Sequence, residues 1–168
     1  GHLIQKSGDR VHTMDCDKLE QVMRRLALEA GAKIMEIYDG DDFDVKVKSD
    51  ESPVTEADEA ADAIISAGLR AAFPDVTLIT EEQSESHAER ASTFLIVDPL
   101  DGTKEFINRR GDFTVNIAYV EEGTPTRGVV YAPAKGRLFY TDASGRTVEE
   151  TGPFALDEAG ETRPLAVK

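Results

Sequence analysis

The chain has 168 residues, 40% of them apolar, with a formal net charge of −14 and a single cysteine, Cys16. That is long enough for one domain with a real core and too apolar for a disordered chain, while the lone cysteine excludes a disulfide within the chain. The acidic balance disfavours a nucleic acid polymer as partner, which requires cationic surface, and a polybasic membrane anchor. No apolar run nears the ~20 residues of a membrane span, so membrane association is at most peripheral, and no signal-peptide pattern opens the sequence, which points to the cytoplasm.

Residues 1–13 lack periodicity and read as a tag or disordered leader, with Met14 as a candidate native start. From Asp17, the residues Leu19, Val22, Met23, Leu26, Ala30, Ile34 and Ile37 recur at three- and four-residue spacing and predict a helix that ends at Asp39-Gly40. The polar stretch 41–52 reads as a loop with a short strand near Val45–Val47. A second helix opens at Pro53, with Thr55 and Asp58 spaced as in a capping box, and ends at Pro74-Asp75. Short apolar runs at Val76–Thr80 and Phe94–Val97 predict buried strands. Alternation over Phe113–Val120, then turns at Glu122-Gly123, Lys135-Gly136 and Ser144-Gly145, predict an antiparallel meander through Glu149. The class is therefore α+β: two helices packed on a largely antiparallel sheet. The polar tail 151–168 reads as a linker toward a further domain.

The chemistry concentrates where an apolar strand gives way to Asp98-Pro99-Leu100-Asp101-Gly102-Thr103. Two carboxylates three residues apart at a strand end repel each other unless a cation joins them, and hard oxygen donors suit Mg²⁺. The Leu100 carbonyl lies between them as a third oxygen, Pro99 stiffens the turn, and Gly102 permits a tight turn or close backbone approach. Thr103 would open a short helix through Lys104, Glu105, Phe106 and Ile107, and N–H groups at a helix start beside a hydroxyl suit a phosphate. Taken alone, the run fits a plain strand–turn–helix junction equally well. Glu81-Glu82 follows another short strand, and Glu81 reaches the same acids if both strands end at one sheet edge; the plain alternative is a solvated surface pair. Thr55 and Asp58 have an equally plain alternative as a helix cap. The histidines His2, His12 and His87 form no cluster, and Cys16 has no basic partner evident in the sequence.

Ser52-Pro53-Val54-Thr55-Glu56-Ala57-Asp58, Thr80-Glu81-Glu82 and Val97–Phe106, in this order and spacing, resemble the inositol monophosphatase superfamily of lithium-sensitive, Mg²⁺-dependent phosphatases. Lys104-Glu105-Phe106, Phe113–Ala118 and Gly128–Pro133 look most like its 3′(2′),5′-bisphosphate nucleotidases, which act on adenosine 3′,5′-bisphosphate in sulfur metabolism. The resemblance implies a layered sugar-phosphatase-like sandwich, of which residues 14–150 would form the N-terminal metal-binding half. It implies two or three Mg²⁺ ions held by Glu81, Asp98, Leu100 (through its carbonyl) and Asp101. Glu81 and Thr103 would orient and deprotonate the attacking water with support from Asp58, Leu100–Thr103 and Glu81 would meet the substrate, and Lys48 would lie nearby. A phosphorylated small molecule is the expected partner, and a homodimer is compatible with the family. Inositol monophosphatase or fructose-1,6-bisphosphatase-like activity is the alternative, and a non-catalytic metal-binding fragment is the reading from another class. The family continues into a further domain carrying another metal-ligand Asp, so these residues alone are expected to turn over slowly if at all.

Overall fold

The computed structural model describes residues 14–40, 53–80 and 93–165. The leader 1–13, the strand expected near Val45–Val47, Lys48, Glu81 and His87 lie outside these residues.

Helix α1 spans Cys16–Tyr38 and α2 spans Pro53–Ala72. Asp15 caps α1, its carboxylate accepting the Lys18 N–H at 3.1 Å, which satisfies one of the donors orphaned at a helix start. Leu19, Met23, Leu26, Ala30 and Ile34 are buried as the spacing predicts. In α2, proline occupies the first helical position, where its missing N–H costs nothing. Thr55 is consequently the third residue of the helix and not its cap, which corrects the capping-box expectation.

Seven strands follow in one sheet whose spatial order is the chain order. They are β1 (Thr77–Ile79), β2 (Thr93–Asp101), β3 (Thr114–Glu121), β4 (Thr124–Ala132), β5 (Arg137–Thr141), β6 (Thr147–Glu150) and β7 (Thr162–Pro164), with a short helix α3 (Thr103–Ile107) between β2 and β3. Strand β1 joins β2 in parallel, and every later pairing is antiparallel. Strand β7 has no signature in the sequence: a three-residue polar strand has no hydrophobic pattern, and its place depends on pairing with β6. The segment after Glu150 therefore includes part of the sheet.

Both long helices lie on one face of this sheet. Leu95, Val97, Val115, Ile117, Val129, Leu138, Tyr140 and Val148 join the helix residues in one buried cluster. Two glycines let α1 approach its neighbours. A Cβ on Gly31 would overlap the Tyr131 ring, and one on Gly68 would overlap a Leu26 methyl. On the opposite face Ile96 and Val130 remain 39% and 41% exposed. No helix of the described residues is long and apolar enough to cross a membrane.

Candidate metal and phosphate site

Strand β2 carries the acids, and its register explains how two carboxylates three residues apart come to one side. Asp98 stands opposite Asn116 and Asp101 opposite Thr114, so three steps along β2 match two along β3. In a regular strand, residues three apart point to opposite faces. The extra residue is a β-bulge, and it resets the alternation. Thr114 and Asn116 share a face, as the 3.0 Å bond from Asn116 Nδ2 to Thr114 Oγ1 shows. Asp98 and Asp101 lie on that same face. Pro99 and Leu100 are buried between them, with Asp98 half-buried and Asp101 exposed. The sequence predicted a turn at this point; the structure continues the strand through Asp101 and places the irregularity inside it. Proline, which cannot donate to a ladder, is at home in such a bulge.

Gly102 then reverses the chain. Its φ of 95° and ψ of 48° lie in the left-handed region, open to glycine at no steric cost. A Cβ there would also approach the Phe113 Cα to 3.2 Å. The turn delivers Thr103, exposed, as the first residue of α3, and the Phe106 N–H donates to the Gly102 carbonyl at 3.0 Å. Phe106 is fully buried and anchors α3. Leu100 is 3% exposed, so its side chain belongs to the core; any ligand role falls to its backbone carbonyl.

Asp58 stands on α2, half-buried, with Oδ1 shielded from solvent. Its helix packs against both β2 and α3. Strand β1 runs level with β2, Ile79 opposite Ile96, so β1 leads toward the sheet edge where β2 reaches Asp98. Glu81, two residues beyond β1, is outside the described residues. Among the described residues, no group of three or more His, Cys, Asp or Glu side chains is gathered as a metal cluster. The structure thus brings together Asp98, Leu100, Asp101, Gly102 and Thr103 and places Asp58 on an adjoining helix. The donor set suits a hard divalent cation: carboxylate oxygens on one face of a bulge, with no thiol or imidazole. Sequence reasoning missed Thr114 and Asn116, the polar pair beside the two acids. Their alternation with Val115 and Ile117 was the available signal. Asp98 also borders a cavity of about 560 Å³ across the outer face of the sheet, walled in part by Ile96, Val130 and Phe139.

The bulged strand of acids, the left-handed glycine and the threonine opening a helix sit on a helix-covered mixed sheet, the fold of solved proteins of one family. Residues 15–165 match the inositol monophosphatase family, and the chain belongs to it. It is 46% identical over 153 residues to a protein of Shigella flexneri named 3′(2′),5′-bisphosphate nucleotidase CysQ, covering 89% of this chain and 61% of the relative. The identity and coverage are the same for the protein of that name from Escherichia coli K12. The crystal structure of CysQ from Bacteroides thetaiotaomicron superposes with a TM-score of 0.76 at 34% identity, covering 93% of this chain and 61% of that one. The chain thus spans about three fifths of the length of the curated relatives it matches.

Proposed function

We propose that this chain carries the metal- and phosphate-binding part of a Mg²⁺-dependent phosphomonoesterase, a 3′(2′),5′-bisphosphate nucleotidase acting on adenosine 3′,5′-bisphosphate in the cytoplasm. The observation that carries the reading is the bulge that turns Asp98 and Asp101 to one face directly before Gly102 and Thr103. The likeness to proteins named for this activity supports it.

In this reading Asp98, Asp101, the Leu100 carbonyl and Glu81 hold the cations, two or three in number. Bound divalent cations supply a lowered pKa for water and neutralise charge on phosphate. The protein's own groups do the rest. Thr103 projects its hydroxyl from the first turn of α3 to orient the attacking water, and Glu81 takes that water's proton. Gly102, lacking a side chain, lets backbone N–H groups meet the phosphate closely. Asp58 supports the water network from α2.

Two measurements test the proposal. Thermal melts of this chain with and without Mg²⁺ should show stabilisation, since a ligand of the native state raises stability by about 2.7 kcal/mol at a hundred times its Kd. A melt indifferent to Mg²⁺ counts against the cation site. For the protein at its relatives' full length, phosphate release should be at least about tenfold faster, in kcat/KM, from adenosine 3′,5′-bisphosphate than from inositol 1-phosphate or fructose 1,6-bisphosphate, a difference of about 1.4 kcal/mol in barrier. The reverse preference would move the chain to another activity within its family.

A further inference from the structure

The loop that follows the acids is locked from a distance. Residues 103–110 close on themselves through N–H bonds from Asn108 to the Lys104 carbonyl at 2.9 Å, Arg109 to Phe106 at 3.2 Å and Arg110 to Glu105 at 2.7 Å. At the end of this loop Arg109 adopts a φ of 59°, a left-handed conformation that side chains other than glycine and asparagine rarely take. Its side chain reaches back to the last residue of α1. Nη1 donates to the Tyr38 carbonyl at 3.1 Å, and the guanidinium carbon lies 4.9 Å from the centre of the Tyr38 ring.

Two features make this a matched contact. The final carbonyls of a helix lack partners within it and attract cations, and the last turn of α1 has no basic residue of its own. Arg109 supplies that cation from 71 residues away. The Tyr38 ring in turn packs on Phe106 at 5.3 Å and on Phe113 at 5.0 Å, and those two rings meet at 5.2 Å. Phe106 belongs to α3, and the Phe113 backbone is the surface against which Gly102 turns. A continuous set of contacts therefore runs from Arg109 through Tyr38 and the two phenylalanines to Gly102 and Thr103.

We propose that Arg109 is a positioning residue: its clamp on the end of α1 fixes the loop Thr103–Arg110 and, through it, the placement of Thr103 beside Asp98 and Asp101. The proposal rests on the functional reading above, in which Thr103 orients the attacking water. It adds a residue that acts through the end of α1 and the aromatic rings packed there. Because the clamp acts on orientation, its loss falls on kcat and leaves KM nearly untouched.

The test uses the full-length protein and the variants Arg109→Gly, Arg109→Asn and Arg109→Lys. Glycine and asparagine tolerate the positive φ, so both remove the side chain without straining the backbone. For each of them kcat should fall about tenfold or more with KM within about twofold, since small misplacements near a reacting group cost up to about a hundredfold. Amide exchange read by mass spectrometry should quicken selectively over residues 103–111. Lysine, which keeps the charge and a donor, should recover at least about a third of the lost kcat. Wild-type kcat and unchanged exchange in the glycine and asparagine variants would overturn the proposal. So would exchange that quickens throughout the chain, which marks a merely structural residue. If the unaltered protein releases no phosphate from any of the substrates, the functional reading fails. The exchange result still decides whether the clamp holds the loop.

Discussion

The two ends of the sheet hold acidic residues in opposite conditions. At the β6 end Glu150 is 2% exposed and fully engaged within the chain. Arg24 Nε and Nη2 donate to its two oxygens at 2.7 and 2.9 Å, the Tyr140 hydroxyl donates at 2.9 Å and the Gly160 N–H at 3.0 Å. Burial works against the charge of Glu150, but Arg24, Gly160 and Tyr140 outweigh it and hold the carboxyl below its ordinary pKa. Arg24 also donates to the Leu156 and Glu158 carbonyls, so one ion pair ties α1, the sheet and the loop after β6 together. At the β2 end the bulge turns Asp98 and Asp101 outward on one face, half-buried and exposed. The difference lies in depth: the charge of Glu150 is neutralised inside the protein and holds the fold, whereas Asp98 and Asp101 stand at a bulge on the face of the sheet away from the helices, where the proposed cation would meet them.

Removing one acid at each end separates the two roles. Asp98→Asn in the full-length protein should lower kcat/KM on the order of a thousandfold, about 4 kcal/mol. It should also abolish the stabilisation by Mg²⁺. A variant that keeps its activity would show that Asp98 is not a ligand. Glu150→Ala should do the opposite. It strands a buried guanidinium, and breaking a buried pair from one side costs about 3–5 kcal/mol, readable by urea denaturation. Replacing both partners, Arg24→Met with Glu150→Met, should recover a good part of that loss, because an apolar pair needs no compensation. If the single variant is as stable as the wild type, the network is ornament and the comparison fails at its β6 end.

The legibility of the sequence follows the same division. The helices were readable because their buried faces repeat every three or four residues from Leu19 to Ile34 and from Ala57 to Leu69, and the meander was readable from alternation and its glycine turns. The motif from Asp98 to Thr103 was readable as chemistry, through its residue types and its family likeness. Its geometry was not: a bulge is a matter of pairing with β3, and nothing local in Asp98-Pro99-Leu100-Asp101 distinguishes it from a turn. Strand β7 was hidden for the same reason. The partnerships of Arg24 with Glu150 and of Arg109 with Tyr38 span 126 and 71 residues, and no spacing rule reaches that far. Arg109 left only a faint trace, its place before Arg110-Gly111 in a turn.

A third acid sharpens the contrast. Glu149 alternates with Glu150 on β6 and so faces the other side of the sheet, where Arg137 donates to it from β5 at 2.9 and 3.1 Å and Arg163 from β7 at 2.8 Å. These two guanidiniums, Arg137 first, pull its pKa from 4.5 to about 2. A carboxyl depressed on folding contributes stability above its unfolded pKa and loses it as pH falls through the folded value. The contribution should therefore be complete above about pH 4.5 and gone near pH 2. It should also be small, since both arginines are mostly exposed and exposed pairs are weakened by solvent and salt. Its effect should concentrate on β7, whose three residues are all exposed and whose Arg163 is held by this pair. Amide exchange at Thr162 and Arg163 should thus quicken between pH 4.5 and 2, after correction for intrinsic rates, before the rest of the sheet responds. Glu149→Gln should show the quickened exchange already at neutral pH and no further change across that window. Acid loosening of β7 that is unaltered in the glutamine variant would assign the effect to another group. It would also remove Glu149 as the intermediate case between the buried Glu150 and the acids of the β2 bulge.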